Sequence, residues 1–295
     1  MKLGVIANLR KPELGETIDR LTDWAVTHEV ELLMAPELLN QIPSLAEHQS
    51  VIETAEDQMA SGADFMLAMG GDGTILAAMR HARNSGIPVV GLNLGSLGFL
   101  ADTSPDNIEA VLDRLRAGSH EIETRMTLEA EIRVNGKVIT LNASNDIVID
   151  KGDYSRVIDI DAHVGGQFLQ RYTGDGLIVS SPTGSTAYAL AAGGPILDPT
   201  MSALVVVPIC PHMLAFRPLV LPEESEIILT VSSKYGTALV TADGQENVTV
   251  DSGDTIIVRR GAYRNRLVRT GIGQPFFDVL RAKLKWGFRE PAERS

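Results

Sequence analysis

Apolar positions in the first hundred residues switch between two spacings. Leu3 to Ile6 is a short apolar run bounded by polar residues, which reads as a buried strand. Ile18, Leu21, Trp24 and Ala25 recur at helical spacing. Ala63 to Met69 is a second strand candidate, followed at once by Gly70-Gly71-Asp72-Gly73-Thr74. Ile75, Leu76, Met79 and Ala82 then form a helical face, ended by Asn84-Ser85-Gly86, and Pro88 to Leu92 reads as a third strand. Alternation of this kind predicts a parallel sheet covered on both faces. The pattern changes after Gly118. From Ile122 to about Val258 short alternating runs are separated by turn signals. Glu131 to Val134 and Lys137 to Thr140 flank Asn135-Gly136, the strongest short hairpin signal. Val157 to Val164, Glu226 to Val231 and Thr255 to Val258 are similar, so the second part reads as an antiparallel, layered sandwich.

Length and composition narrow this picture. A chain of 295 residues suits two domains, and 44% apolar with 22% charged residues is a globular composition. No run approaches the roughly 18 apolar residues of a membrane span. MKLGVIANLRK lacks a small-residue cleavage site, so no signal peptide is expected. The single cysteine, Cys210, excludes an intrachain disulfide framework and points to a reducing cytoplasm. The net charge of −12 argues against a nucleic-acid partner. Residues 259–295 are the exception, with 10 basic and 3 acidic side chains. That stretch also holds Phe276, Phe277, Leu280, Leu284 and Trp286, which a solvated arm would not need, so residues 270–290 are expected to pack on the amino-terminal domain.

Chemistry concentrates in two places. Glycines at 70, 71 and 73, between a strand and a helix, let the backbone turn and approach a ligand, and a helix start offers free amides to an anion. Asp72 repels phosphate and so needs another reason: holding a metal ion, accepting a proton, or simply capping the helix. The second place spans Gly174-Asp175-Gly176, Ser181-Pro182-Thr183-Gly184-Ser185-Thr186-Ala187-Tyr188 and Gly193-Gly194-Pro195. Small hydroxyls and amides suit ribose and base edges, and a tyrosine can stack on a base; a turn-rich β connection explains the glycines alone. Asn145-Asp146 suits ribose hydroxyls but is weak alone, and Asp243-Gly244-Gln245 is a good hairpin turn. The Walker P-loop, the Rossmann fingerprint, the protein-kinase signatures and a G-x-S-x-G elbow are absent, and the six histidines show no metal-ligand spacing.

Together these pieces resemble the NAD kinases of bacterial type. The resemblance runs through Gly70–Thr74, Gly91–Gly95 with Leu97–Leu100, Asn145-Asp146, Asp175–Tyr188, Gly193–Pro195, Pro208–His212 with Arg217–Val220, Asp243–Gln245 and Lys283–Gly287, nearly the whole chain. Gly-Gly-Asp-Gly-Thr also occurs in diacylglycerol and sphingosine kinases, so the second region decides. The resemblance implies a two-domain fold: an α/β domain over 1–120, joined by a tail over 265–295, and an all-β, sandwich-like dinucleotide-binding domain over 121–264. It implies phosphoryl transfer from ATP, or polyphosphate, to the 2′-hydroxyl of the adenosine ribose of NAD, with Mg²⁺ or another divalent cation. By the same resemblance Asp72 is catalytic and Gly70, Gly71, Gly73 and Thr74 form the phosphate loop. Asn145, Asp146, Arg156, Thr173, Asp175, Thr183, Thr186, Ala187, Tyr188, Ala191 and Gln245, with Asp72 and Gly73, match NAD-contacting positions. Ala191 stands where the family often has serine, and Asp146 where many members have glutamate. A cytoplasmic homo-oligomer, dimer or tetramer, completes the expectation. A lipid kinase would want an apolar acceptor cavity, which the hydroxyl-rich 181–188 stretch opposes; a non-catalytic dinucleotide sensor would have no use for Asp72.

Overall fold

The structure is a computed structural model describing residues 1–95, 98–152, 157–232 and 236–286. Arg156, expected at the ligand, lies outside the described residues, as do Leu97 and Gly287 of the family motifs. The chain divides into two units, residues 1–123 with residues 266 onward, and residues 124–265.

The first unit opens with β1 (Lys2–Ala7), α1 (Leu14–Thr27), β2 (Glu31–Met34), α2 (Pro36–Gln41) and β3 (Val51–Glu53). It continues with α3 (Glu56–Gly62), β4 (Phe65–Gly70), α4 (Asp72–Ala82), β5 (Val89–Asn93) and α5 (Ile108–Arg116). Its strands lie in the order β3-β2-β1-β4-β5, all parallel. Alternate strand residues serve two cores. Leu3, Val5, Leu67, Met69, Val90 and Leu92 meet Ile18 and Leu21 of α1 and Val111 and Leu112 of α5 on one face. Ile6, Met66, Ala68 and Val89 meet Met59 of α3 and Ile75 and Met79 of α4 on the other. Burial on both faces is why these strands read as unbroken apolar runs. The helical faces predicted around Ile18 and Ile75 are the buried faces of α1 and α4.

The chain then gives β6 (Glu121–Val134), β7 (Lys137–Ala143), β8 (Asp146–Asp150), β9 (Ile158–Val164), β10 (Gln167–Gly174) and β11 (Gly176–Ser180). After a 3₁₀ turn at Thr183–Thr186 come α6 (Tyr188–Ala191), β12 (Ala203–Ile209), β13 (Leu219–Pro222), β14 (Ile227–Ser232), β15 (Ala238–Ala242), β16 (Glu246–Val250), β17 (Thr255–Arg269) and α7 (Phe276–Leu284). The second unit is a sandwich of antiparallel sheets. One runs β10-β9-β14-β17, with β6 beside β17 and β7 beside β6; the other runs β13-β12-β11-β8-β15-β16. Leu128, Ile132, Ile149, Ile160, Val179, Leu229 and Val240 fill the space between them. β9, β14 and β15 alternate buried and half-buried residues, whereas β8, β11 and β12 are buried on both faces because Ala189 and Leu197 cover their outer side. Asn135-Gly136 and Asp243-Gly244 each place two successive residues at positive φ, the backbone of a two-residue hairpin turn.

The last strand returns to the first unit, where Leu267 of β17 pairs in parallel with Val89 of β5. α7 buries Val279 and Leu280 and half-buries Phe276. Phe277 and Trp286, expected to pack inward, are exposed. The reason is helical geometry: Val279 and Leu280 lie three and four residues beyond Phe276 and share its face, while Phe277 is turned about 100° away.

Candidate active site

β4 ends at Gly70, where a Cβ would stand 2.2 Å from Thr74 Oγ1. Only glycine lets the following turn close so tightly. Gly71 takes the capping position of α4 in an extended conformation, with Asp72 as the first helical residue. The reading of Asp72 as a side-chain cap therefore fails. Its carboxylate instead accepts hydrogen bonds from Phe99 N–H (3.0 Å) and Leu100 N–H (3.1 Å), one on each oxygen. Gly98 makes this approach feasible, since a Cβ there would lie 2.1 Å from Asp72 Oδ1. Each oxygen keeps a further lone pair for another partner. The amides of Asp72 and Gly73 open the helix and have no partner one turn back. Nothing among the described residues lies within 4 Å of a Cβ built on Gly71 or Gly73, so an anion can reach this backbone.

In the second unit Asp243, at the β15–β16 turn, organises the start of β8. Its carboxylate accepts from Ser144 N–H (2.8 Å), Asn145 N–H (2.7 Å) and Asp146 N–H (3.2 Å), and its own N–H donates to Asp146 O (3.0 Å). Gly184 closes on the same place, because a Cβ there would stand 2.2 Å from Asn145 O. Asp146 is buried, and its carboxyl is pushed up to about 7, by burial first and by the Asp243 charge second. It can thus donate or accept near neutrality. The folded chain keeps this proton where the unfolded chain, with an ordinary Asp near 3.9, has lost it. Stability from this group is therefore fully present below about pH 4 and is lost as pH rises through about 7. Melting temperatures of the wild type, compared with Asp146→Asn, should decline across that window and run parallel above it. Parallel behaviour at every pH would mean that folding leaves the Asp146 carboxyl unshifted.

Tyr188 is half exposed at the start of α6. Its hydroxyl is pushed up by burial and then by its neighbours, Asp150 foremost, and so remains a donor at neutral pH. Asp175 forms an ion pair with Lys151 Nζ at 2.6 Å. Asn145, Thr186 and Ala187 are half-buried, and Ala191 and Gln245 exposed. Thr183 is buried, its hydroxyl accepting from Arg125 Nη1 at 3.4 Å. Thr173 Oγ1 donates to Asp159 on β9. The serines of the hydroxyl-rich stretch serve the fold. Ser181 Oγ donates to Ser144 O (2.6 Å) and Ser185 Oγ to Pro182 O (2.7 Å), and both residues are fully buried. Two contributors escaped the sequence reading. Asp243 looked like a turn residue alone, since its partners are about a hundred positions away. Lys151 carried only the faint signal of a lone base after Asp150.

Residues 3–120 match the model of the ATP-NAD kinase N-terminal domain, and residues 144–270 that of the ATP-NAD kinase C-terminal domain. The chain belongs to the ATP-NAD kinase family. The NAD kinase of Heliobacterium modesticaldum is 42% identical over 97% of this chain and 99% of its own, and that of Moorella thermoacetica 38% identical over 97% and 90%. Among solved structures, yeast NADH kinase complexed with NADH aligns with a TM-score of 0.90 at 25% identity, covering all of this chain and 90% of the yeast one. An NAD kinase from Archaeoglobus fulgidus in complex with ATP shares the fold, with a TM-score of 0.76 at 24% identity over 97% and 99% of the two chains. As an ATP-NAD kinase the protein is an enzyme. It passes the terminal phosphoryl of ATP to the 2′-hydroxyl of the adenosine ribose of NAD, giving NADP. No helix among the described residues is long and apolar enough to cross a membrane.

Proposed function

We propose that Asp72 is the base of this transfer and that the Asn145–Asp146 and Asp175–Tyr188 segments hold NAD. One observation carries the reading: a carboxylate held by two backbone amides on the first residue of a helix whose opening amides are free. The acceptor 2′-hydroxyl attacks the terminal phosphorus of ATP. A new O–P bond forms, the bond to the bridging oxygen breaks, ADP leaves, and the hydroxyl proton passes to Asp72. The free amides of Asp72 and Gly73, within the Gly70–Thr74 loop, cradle phosphate oxygens. Asn145 and Asp146 hydrogen-bond ribose hydroxyls, and Tyr188 stacks on a base.

A divalent cation fits this chemistry. No group of three or more His, Cys, Asp or Glu side chains is placed to cage a metal among the described residues. Mg²⁺ needs no such cage, being held typically by one or two carboxylates, water and substrate phosphates, and Asp72 has lone pairs to offer. When bound, Mg²⁺ offsets the charge of the transferring phosphoryl. The reading includes a homo-oligomer in the cytoplasm. The exposed Met213 and Leu214 support the first, and the free thiol of Cys210 the second.

Incubation of the pure protein with ATP, Mg²⁺ and NAD should yield NADP, while diacylglycerol should remain unphosphorylated. Tyr188→Ala should weaken NAD binding roughly ten- to hundredfold, the usual worth of one stacked base, and Asp175→Ala should weaken it in the same sense. ATP binding should change far less for both. Titration calorimetry with each ligand separates the outcomes; equal losses for NAD and ATP would assign this stretch to the wrong substrate.

A further inference from the structure

The amides that aim Asp72 belong to a stretch, residues 98–102, that is neither helix nor strand. One tie is to β5, where Asp102 N–H donates to Gly91 O at 2.8 Å. A second is the burial of Leu100 in the core beside Ile75 and Leu76, and further ties come from the far end of the chain. Arg269 Nη1 donates to Leu100 O (3.3 Å) and Ala101 O (3.2 Å), while its Nη2 pairs with Glu123 (3.1 Å). Thr270 N–H and its hydroxyl both donate to the buried Asp102 carboxylate. Gly273 lies so close to Asp102 O that no side chain fits there. The Phe276 ring stands 6.0 Å from the Phe99 ring, and Lys283 Nζ lies 5.3 Å from the same ring. Beside these contacts is a cavity of about 370 Å³, lined by Phe99, Ala101, Arg269, Phe276 and Val279 among others. Leu100 is fixed by the core, but on the cavity side close packing does not wedge the stretch, so there the tail contacts hold Phe99 and Ala101.

We infer that Arg269–Phe276 is a positioning element for phosphoryl transfer, holding Phe99 and Leu100 so that their amides aim Asp72. The inference rests on Asp72 being the base. Phe276 and Arg269 act on the carboxylate by way of Phe99, Leu100 and Ala101. Loosening them displaces the base without removing a substrate contact, so the loss falls on kcat rather than on KM.

The test is a double-mutant cycle on the full chain. Phe276→Ala should lower kcat about tenfold, with KM for ATP and NAD within about twofold of wild type. Phe276→Tyr, which keeps the ring, should recover most of the rate. Trp286→Ala, at the exposed end of the tail, should leave kcat unchanged. In an Asp72→Asn background Phe276→Ala should change the residual rate by less than about twofold, because the group it positions is gone. A tenfold loss in both backgrounds, or a lower melting temperature with unchanged kcat, overturns the inference and leaves the role of Asp72 standing. Normal turnover by Asp72→Asn alone overturns the base assignment and the inference with it. If Phe276→Ala does not fold, Arg269→Lys, which keeps the charge beside Glu123 but loses the forked contact to two carbonyls, should give the same pattern.

Discussion

Asp72→Asn should turn over roughly 10²–10⁴-fold more slowly than wild type, the usual contribution of a general base. The substitution keeps the size of the side chain and removes its negative charge and basicity. One of the two amides, Phe99 N–H or Leu100 N–H, would then face an NH₂ group rather than an oxygen, so one hydrogen bond is lost. That costs about 1 kcal/mol of stability, far too little to explain the rate. NAD affinity should barely move, because the charge acts on the transition state and not on ground-state binding. The measurement is turnover at saturating ATP and NAD across a Mg²⁺ series. Near-normal turnover would sink the catalytic assignment. Recovery at high Mg²⁺ would instead make Asp72 a metal ligand.

Asp243→Ala should have the largest effect on the second unit. It strips one acceptor from three amides at once, those of Ser144, Asn145 and Asp146. An unsatisfied buried donor costs about 1–3 kcal/mol, so even with water reaching one of them the loss is several kcal/mol. The start of β8 should loosen, and NAD binding should weaken while ATP binding is spared. Removing the neighbouring charge also lowers the Asp146 pKa, shifting its pH-dependent loss of stability to lower pH. Urea unfolding and calorimetry on Asp243→Ala and Asp243→Asn would check this. An unchanged unfolding midpoint and unchanged NAD affinity would reduce Asp243 to the turn residue that its sequence context suggests.

That contrast shows where the sequence is legible. The turns at Asn135-Gly136 and Asp243-Gly244 could be read because positive φ is demanded locally, by two adjacent residues. The helix after Asp72 could be read because its apolar face repeats within eleven residues. The glycine-rich loop could be read as the turn from β4 into α4 for the same local reason. What Asp72 leans on could not be read, since Phe99 and Leu100 are 27 and 28 positions away and act through backbone amides that every residue carries. The clamp by Asp243 on Asn145 was hidden by a separation of 98 positions. The hydroxyl string misled in part. Ser181, Ser185 and Thr186 are equally polar and each hydroxyl donates to a backbone carbonyl, but the two serines are fully buried while Thr186 keeps partial exposure.

The second unit interrupts the first, and this has a consequence for a chain emerging from the ribosome. Once residue 123 has left the tunnel, the parallel sheet can form from β3 to β5, but β5 ends it as a bare edge until Leu267 arrives. Arg269, Thr270, Gly273 and Phe276 come later still. At about 5–20 residues per second, the 142 residues of the second unit impose a wait of roughly 7–30 s. Throughout that interval the nascent first unit has its glycine-rich loop and its Asp72 but not the segment that grips residues 98–102. With Asp72 as the proposed base, competence is acquired only once residue 276 has emerged, and a chain released before then would carry the glycine-rich loop without the segment that steadies Asp72.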